Sequence, residues 1–175
     1  MRVVEAVTTI PDRRAWARCG LVYGIFLICA LPLGLMTGLL RPGVSQAPAT
    51  TIIIGSLVAL VHPAFVEELI FRVVLLPRNP ASMRRAKLAA IAVLALALYV
   101  ASHPLNAILF RPDARAVFES PAYLAVVTLL GLACTAAYWL SRSIWPPVAI
   151  HWLTVMLWLW LLGGQALLSG TIART

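Results

Sequence analysis

Five apolar stretches, each close to the length of a membrane crossing, fill most of this 175-residue chain. They run over 20–40, 51–76, 88–110 and 122–140, and from 144 to the Gly163-Gly164 pair. A helix crosses the hydrocarbon layer with roughly 20 apolar residues. In that layer every backbone polar group must find its partner within the protein, so each such stretch is predicted to be a helix. Composition agrees: the chain is 62% hydrophobic and 11% charged, where a soluble domain carries about 25% charged residues. The predicted fold is all-α, a polytopic membrane bundle of about five transmembrane helices. Its expected organisation is a basic N-terminal segment over 1–19, a bundle over 20–164 and a short tail over 165–175.

The net charge is +8, from 14 basic and 6 acidic residues. The basic residues lie between the apolar runs, which is the pattern of charge that sets membrane orientation and meets lipid headgroups. It is not the stripe or patch of a nucleic-acid-binding face. With the N-terminus cytoplasmic, Arg2, Arg13, Arg14, Arg18, Arg78, Arg84, Arg85, Lys87 and Arg142 lie inside, and Arg41, Arg111, Arg115 and Arg174 outside. Nine against four favours that orientation. The segment 78–87 is expected to lie along the cytoplasmic interface. All but one of the basic residues are Arg, and Ala is abundant; a GC-rich bacterial genome is the expected source and the cytoplasmic membrane the expected location. The first apolar run is too long for the core of a cleaved signal and reads as a retained anchor. Cys19, Cys29 and Cys134 show no CxxC spacing, so neither a disulfide framework nor a zinc knuckle is expected.

The chemistry is concentrated in the few polar residues inside the apolar runs. A charge at the bilayer centre costs about 2.5–3.5 kcal/mol on insertion scales. Yet Glu67 and Glu68 are adjacent in the second run, and His62, His103 and His151 all fall within runs. Glu68 and Arg72 are four residues apart and can pair on one helix face. Glu67 lies about 100° around the helix, without a partner of its own. His103 and His151, on two other spans, can converge on Glu67, and a carboxylate with imidazoles can activate water. By the same 3.6-residue period His62 lies about 140° from Glu67, a structural residue on a face directed away from the site. Trp145, Trp152, Trp158 and Trp160 are expected at the lipid or the interface.

Other membrane-protease chemistries do not fit. Asp12 and Asp113 both lie in loops, which excludes a diaspartyl site. No histidine is followed by Glu as an HExxH zinc site requires, and Ser56 with its single Gly55 is a weak serine-protease pattern. A zinc site made from Glu67, His103 and His151 uses acceptable ligands, though no cofactor is the favoured reading.

Glu67-Glu68-Leu69-Ile70-Phe71-Arg72 resembles the EExxxR motif of the CPBP family, the CAAX proteases and bacteriocin-processing enzymes also called the Abi family. Tyr99, His103 and Asn106 are similar to its second motif, with Tyr in place of the usual Phe; His151 matches the third, where Val155 stands in place of Asn. The resemblance implies a membrane endopeptidase in which Glu67 and His103 activate water and His151, with an Asn, stabilises the oxyanion. Glu68, Arg72 and Tyr99 would support the site. Because Val155 has no donor, the second oxyanion ligand is expected from Asn106, three residues after His103, or from Thr154, three after His151. The implied partner is a membrane-embedded protein or peptide, lipidated or anchored, cut near its C-terminus. Two other functions use similar residues: a non-catalytic relative acting as an immunity or interaction protein, and a proton-coupled transporter, for which no internal repeat is visible.

Overall fold

The computed structural model describes residues 2–169, an all-α membrane bundle. A short helix α1 (Arg2–Thr8) precedes α2 (Arg13–Met36), α3 (Ala49–Val74), α4 (Arg85–Phe110), α5 (Pro121–Ser141), α6 (Trp145–Leu161) and the one-turn α7 (Gly164–Leu168). Helices α2 to α5 are each long and apolar enough to cross a membrane, and α6 is a shorter apolar helix. Large side chains such as Ile28, Leu57, Val93, Leu109 and Leu132 are exposed on the bundle surface, where acyl chains would cover them.

The spans depart from the sequence reading at their ends. The expected basic segment 1–19 is largely helical, because Asp12 caps α2: its carboxylate accepts from the Ala15 N–H at 2.7 Å, and the helix starts there. The segment 78–87 holds more than one element. Asn79 and Pro80 form a tight turn, Pro80–Ser82, and α4 begins at Arg85. The expected tail starts as helix α7, and Arg174 lies outside the described residues.

Helices α2 and α5 pack most closely. Their contact holds Cys19, Phe26, Ala30, Leu130, Ala133, Cys134 and Ala137, and the small residues among these bring the backbones together, the usual device where water supplies no driving force. At the opposite end from α1, the loop after α2 closes on α6. The amides of Arg41, Gly43 and Ser45 donate to the carbonyls of Leu162, Leu161 and Trp160 at 2.8–3.0 Å. Those are end carbonyls of a helix, which need partners from outside it. At the α1 end, Arg78 donates to Glu5 (2.9 Å), Thr9 (2.7 Å) and the Arg142 carbonyl (3.0 Å).

Helix α3 is broken in its middle. Pro63 has no N–H to donate and clashes with the preceding turn, which drives the residue before it out of the helical region. His62 accordingly has φ −134° and ψ 116°, and wide π turns flank the short regular segment Val66–Glu68. Irregular backbone at membrane depth is tolerated where it lines a cavity, and a cavity is what α3 faces here.

Candidate active site

Glu67, His103 and His151 come from α3, α4 and α6 and meet at the wall of one cavity of about 690 Å³. All three are buried from the outside, at 7%, 8% and 2% exposure. The carboxylate Oε2 of Glu67 lies 4.0 Å from His103 Nε2. That is too long for a direct hydrogen bond. Among the described residues Glu67 Oε2 has no hydrogen-bond partner.

The tautomer of His103 follows from its other nitrogen. Nδ1 is 2.9 Å from the Tyr99 carbonyl. A carbonyl only accepts, so Nδ1 carries the proton and Nε2 turns its lone pair toward Glu67. Tyr99 fixes the ring a second way, by an edge-on contact at 5.0 Å between centroids.

Glu68 does more than pair with Arg72. Its Oε2 meets Arg72 Nε at 3.1 Å, as the four-residue spacing predicts. Its Oε1 accepts from His151 Nδ1 at 2.9 Å, which sets that ring so that Nε2 faces the cavity. Sequence spacing along one helix could not reveal this bond, which joins α3 to α6. The charge of Arg72 is shared further: Nη2 donates to the Gly131 carbonyl at 3.0 Å, and the guanidinium lies 4.3 Å from the centre of the Tyr99 ring. A Cβ at Gly131 would come within 2.6 Å of Leu96 and 2.9 Å of Tyr99, so only glycine lets α5 bring its carbonyl to Arg72. Removing one partner of a buried pair leaves a charge uncompensated, at about 3–5 kcal/mol. Arg72→Ala should therefore lower the melting temperature in detergent markedly; a variant that melts like the wild type would refute the structural role.

Asn106 and Thr154 also line the cavity, and so does Val155. The two candidate donors differ. Thr154 Oγ1 already donates to the Ile150 carbonyl at 2.8 Å. The Asn106 carboxamide makes no hydrogen bond among the described residues.

One expectation is overturned and another holds only in part. His62 does not point away: it lines the same cavity as Glu67, because the break at Pro63 voids the 3.6-residue count between them. The tryptophans divide: Trp145 is exposed, as expected, whereas Trp152, Trp158 and Trp160 are half-buried. Trp152 Nε1 donates to the Ser56 carbonyl at 2.8 Å and Trp160 Nε1 to Ser56 Oγ at 3.1 Å, binding α6 to α3. Trp158 lines the cavity against Tyr123, 5.6 Å between centroids. Tyr123, on α5, lies at a tilt to the His103 ring, 5.8 Å between centroids; no motif in the sequence marks it. Among the described residues no three His, Cys, Asp or Glu side chains gather as a metal-ligand set.

Residues 48–157, well over half of the chain, match the model of the Rce1-like family, described as type II CAAX prenyl endopeptidase Rce1-like. The chain belongs to that family. The match spans all three motifs, from α3 through His151. The Rce1-like chain is thus an integral membrane protein of the CAAX-protease class, with a membrane-embedded substrate and the bilayer as its surroundings. No curated relative and no solved structure matches it.

Proposed function

We propose that this Rce1-like protein hydrolyses a peptide bond near the C-terminus of a membrane-anchored or lipidated protein, using water activated by Glu67. The observation that carries the reading is the Glu67 carboxylate facing the unprotonated nitrogen of His103 across 4.0 Å, at the wall of a mostly apolar cavity. A water between them donates one hydrogen to each. As its oxygen attacks the scissile carbonyl, its proton passes to Glu67. The carbonyl becomes an oxyanion, and when that collapses the proton on Glu67 goes to the leaving amine.

His151 and Asn106 are the proposed oxyanion donors. His151 Nδ1 is committed to Glu68, so a donor bond from its Nε2 requires a second proton on the ring. Asn106 donates from its amide and takes the part that Val155 cannot. Glu68, Arg72 and Tyr99 position these groups. The remaining walls, from residues such as Phe26, Leu31, Phe110 and Leu130, suit an isoprenoid chain or aliphatic side chains. The family description names a prenyl endopeptidase, so a prenylated cysteine near the substrate's C-terminus is the first substrate class to try. The basic end of the bundle, with Arg78 and Arg142, is proposed to face the cytoplasm of a bacterial cell.

The test is cleavage by the purified protein, reconstituted in liposomes, of a farnesylated peptide carrying a quenched fluorophore, with the new termini identified by mass spectrometry. Activity is expected to persist in strong chelator, since the proposed steps require only carboxylate, imidazole and amide groups. Loss of cleavage in chelator, restored by added zinc, would replace this mechanism with a metal-dependent one.

A further inference from the structure

His62 occupies a place that nothing within the chain explains. It sits midway along α3, at membrane depth, where a polar side chain is costly. It is exposed, it lines the cavity shared by Glu67, and among the described residues its ring has no hydrogen-bond partner. By contrast, His103 and His151 are each tied through Nδ1. The backbone break that Pro63 imposes falls here. The helix is interrupted at this same residue, whose extended φ and ψ stand between helical neighbours. Broken helices that present polar groups to a cavity are how membrane proteins build binding sites at the bilayer midplane.

The ligand chemistry follows from what a peptide loses on entry. Its amide groups leave water for walls of Leu, Val and Phe, and each one left unsatisfied is costly. A neutral imidazole offers one donor and one acceptor, the same pair that a peptide main chain presents. We propose that His62 is a docking residue for the main chain of the substrate, beside the scissile bond and separate from the water-activating pair. It hydrogen-bonds an amide group of the entering peptide and so sets which bond reaches Glu67. This rests on the protease reading given above.

The experiment separates the two. A farnesylated fluorescent peptide is titrated into the Glu67→Gln protein in detergent, so that binding is read without turnover. Adding His62→Leu should weaken binding about tenfold, the worth of one hydrogen bond, and His62→Gln, which keeps a donor and an acceptor, should restore most of it. In the active protein His62→Leu should raise KM by a similar factor, with kcat changing far less. Binding unaffected by His62→Leu overturns the proposal. Equal weakening by Leu and Gln also overturns it, because ring shape rather than hydrogen bonding would then matter. If the peptide does not bind the His62 parent at all, the proposal fails as well. Peptide that binds in a His62-dependent way but is never cut by the wild type leaves the docking role standing and ends the protease reading. Should His62→Leu not fold, as judged by its melting curve, His62→Ala takes its place.

Discussion

Glu67→Gln is expected to end peptide cleavage while leaving the amount of folded protein close to that of the wild type. The amide keeps the volume of the carboxylate but cannot take a proton from water. General-base action contributes about 100- to 10,000-fold to a rate, and the loss here should fall at the upper end, since His103 has its Nδ1 proton committed to Tyr99 and no carboxylate behind it. Folding should survive because Glu67 Oε2 holds nothing in the bundle. Its neighbour makes the contrast. Glu68 holds both Arg72 and His151, so Glu68→Gln should lower folded yield as well as activity. Turnover and melting measured side by side on the two variants distinguish them. A Glu67→Gln protein that processes its substrate at the wild-type rate removes the general-base role outright.

Asn106→Ala should lower turnover about 100-fold or more, with little change in substrate binding. An oxyanion donor acts in the transition state and not in the ground state, so its loss falls on kcat. Asn106 follows His103 by three residues and shares its helix face, and both line the cavity. Thr154→Val is the control. Its hydroxyl proton is spent on the Ile150 carbonyl, so this substitution should cost far less. A crippled Thr154→Val beside a nearly unaffected Asn106→Ala would transfer the role to the threonine.

The helices were legible because membrane depth forces a pattern that single residues do not disturb: every long apolar run is a helix. The Glu68–Arg72 pair was legible because it depends on one helix alone. What escaped notice depends on irregularity or on contacts between helices. The face of His62 does not follow the 3.6-residue count, because the helix is broken at a His-Pro step where the pre-proline restriction acts. The bond from Glu68 to His151 links residues far apart in the chain and carries no periodic signal. Of the tryptophans of α6, Trp152 and Trp160 turn their N–H groups to Ser56 on α3, contacts that composition does not reveal. Tyr123 carries no signal in the sequence, because a lone aromatic in an apolar helix looks like any other.

The fastening of α1 bears on how such a chain is completed during synthesis. The Thr9 carbonyl accepts from Ser143 Oγ at 2.6 Å, the Ala6 carbonyl from the Ile144 N–H at 3.1 Å, and the Val7 carbonyl from Trp145 Nε1 at 2.8 Å. These contacts join positions 134 to 138 residues apart. Helix α1 therefore waits for residues 143–145 before it can settle. Until residues 143–145 arrive, the buried Ala6 and the carbonyls around it stay open to solvent and to quality-control factors. A nascent chain arrested before the start of α6 would carry an unlatched α1.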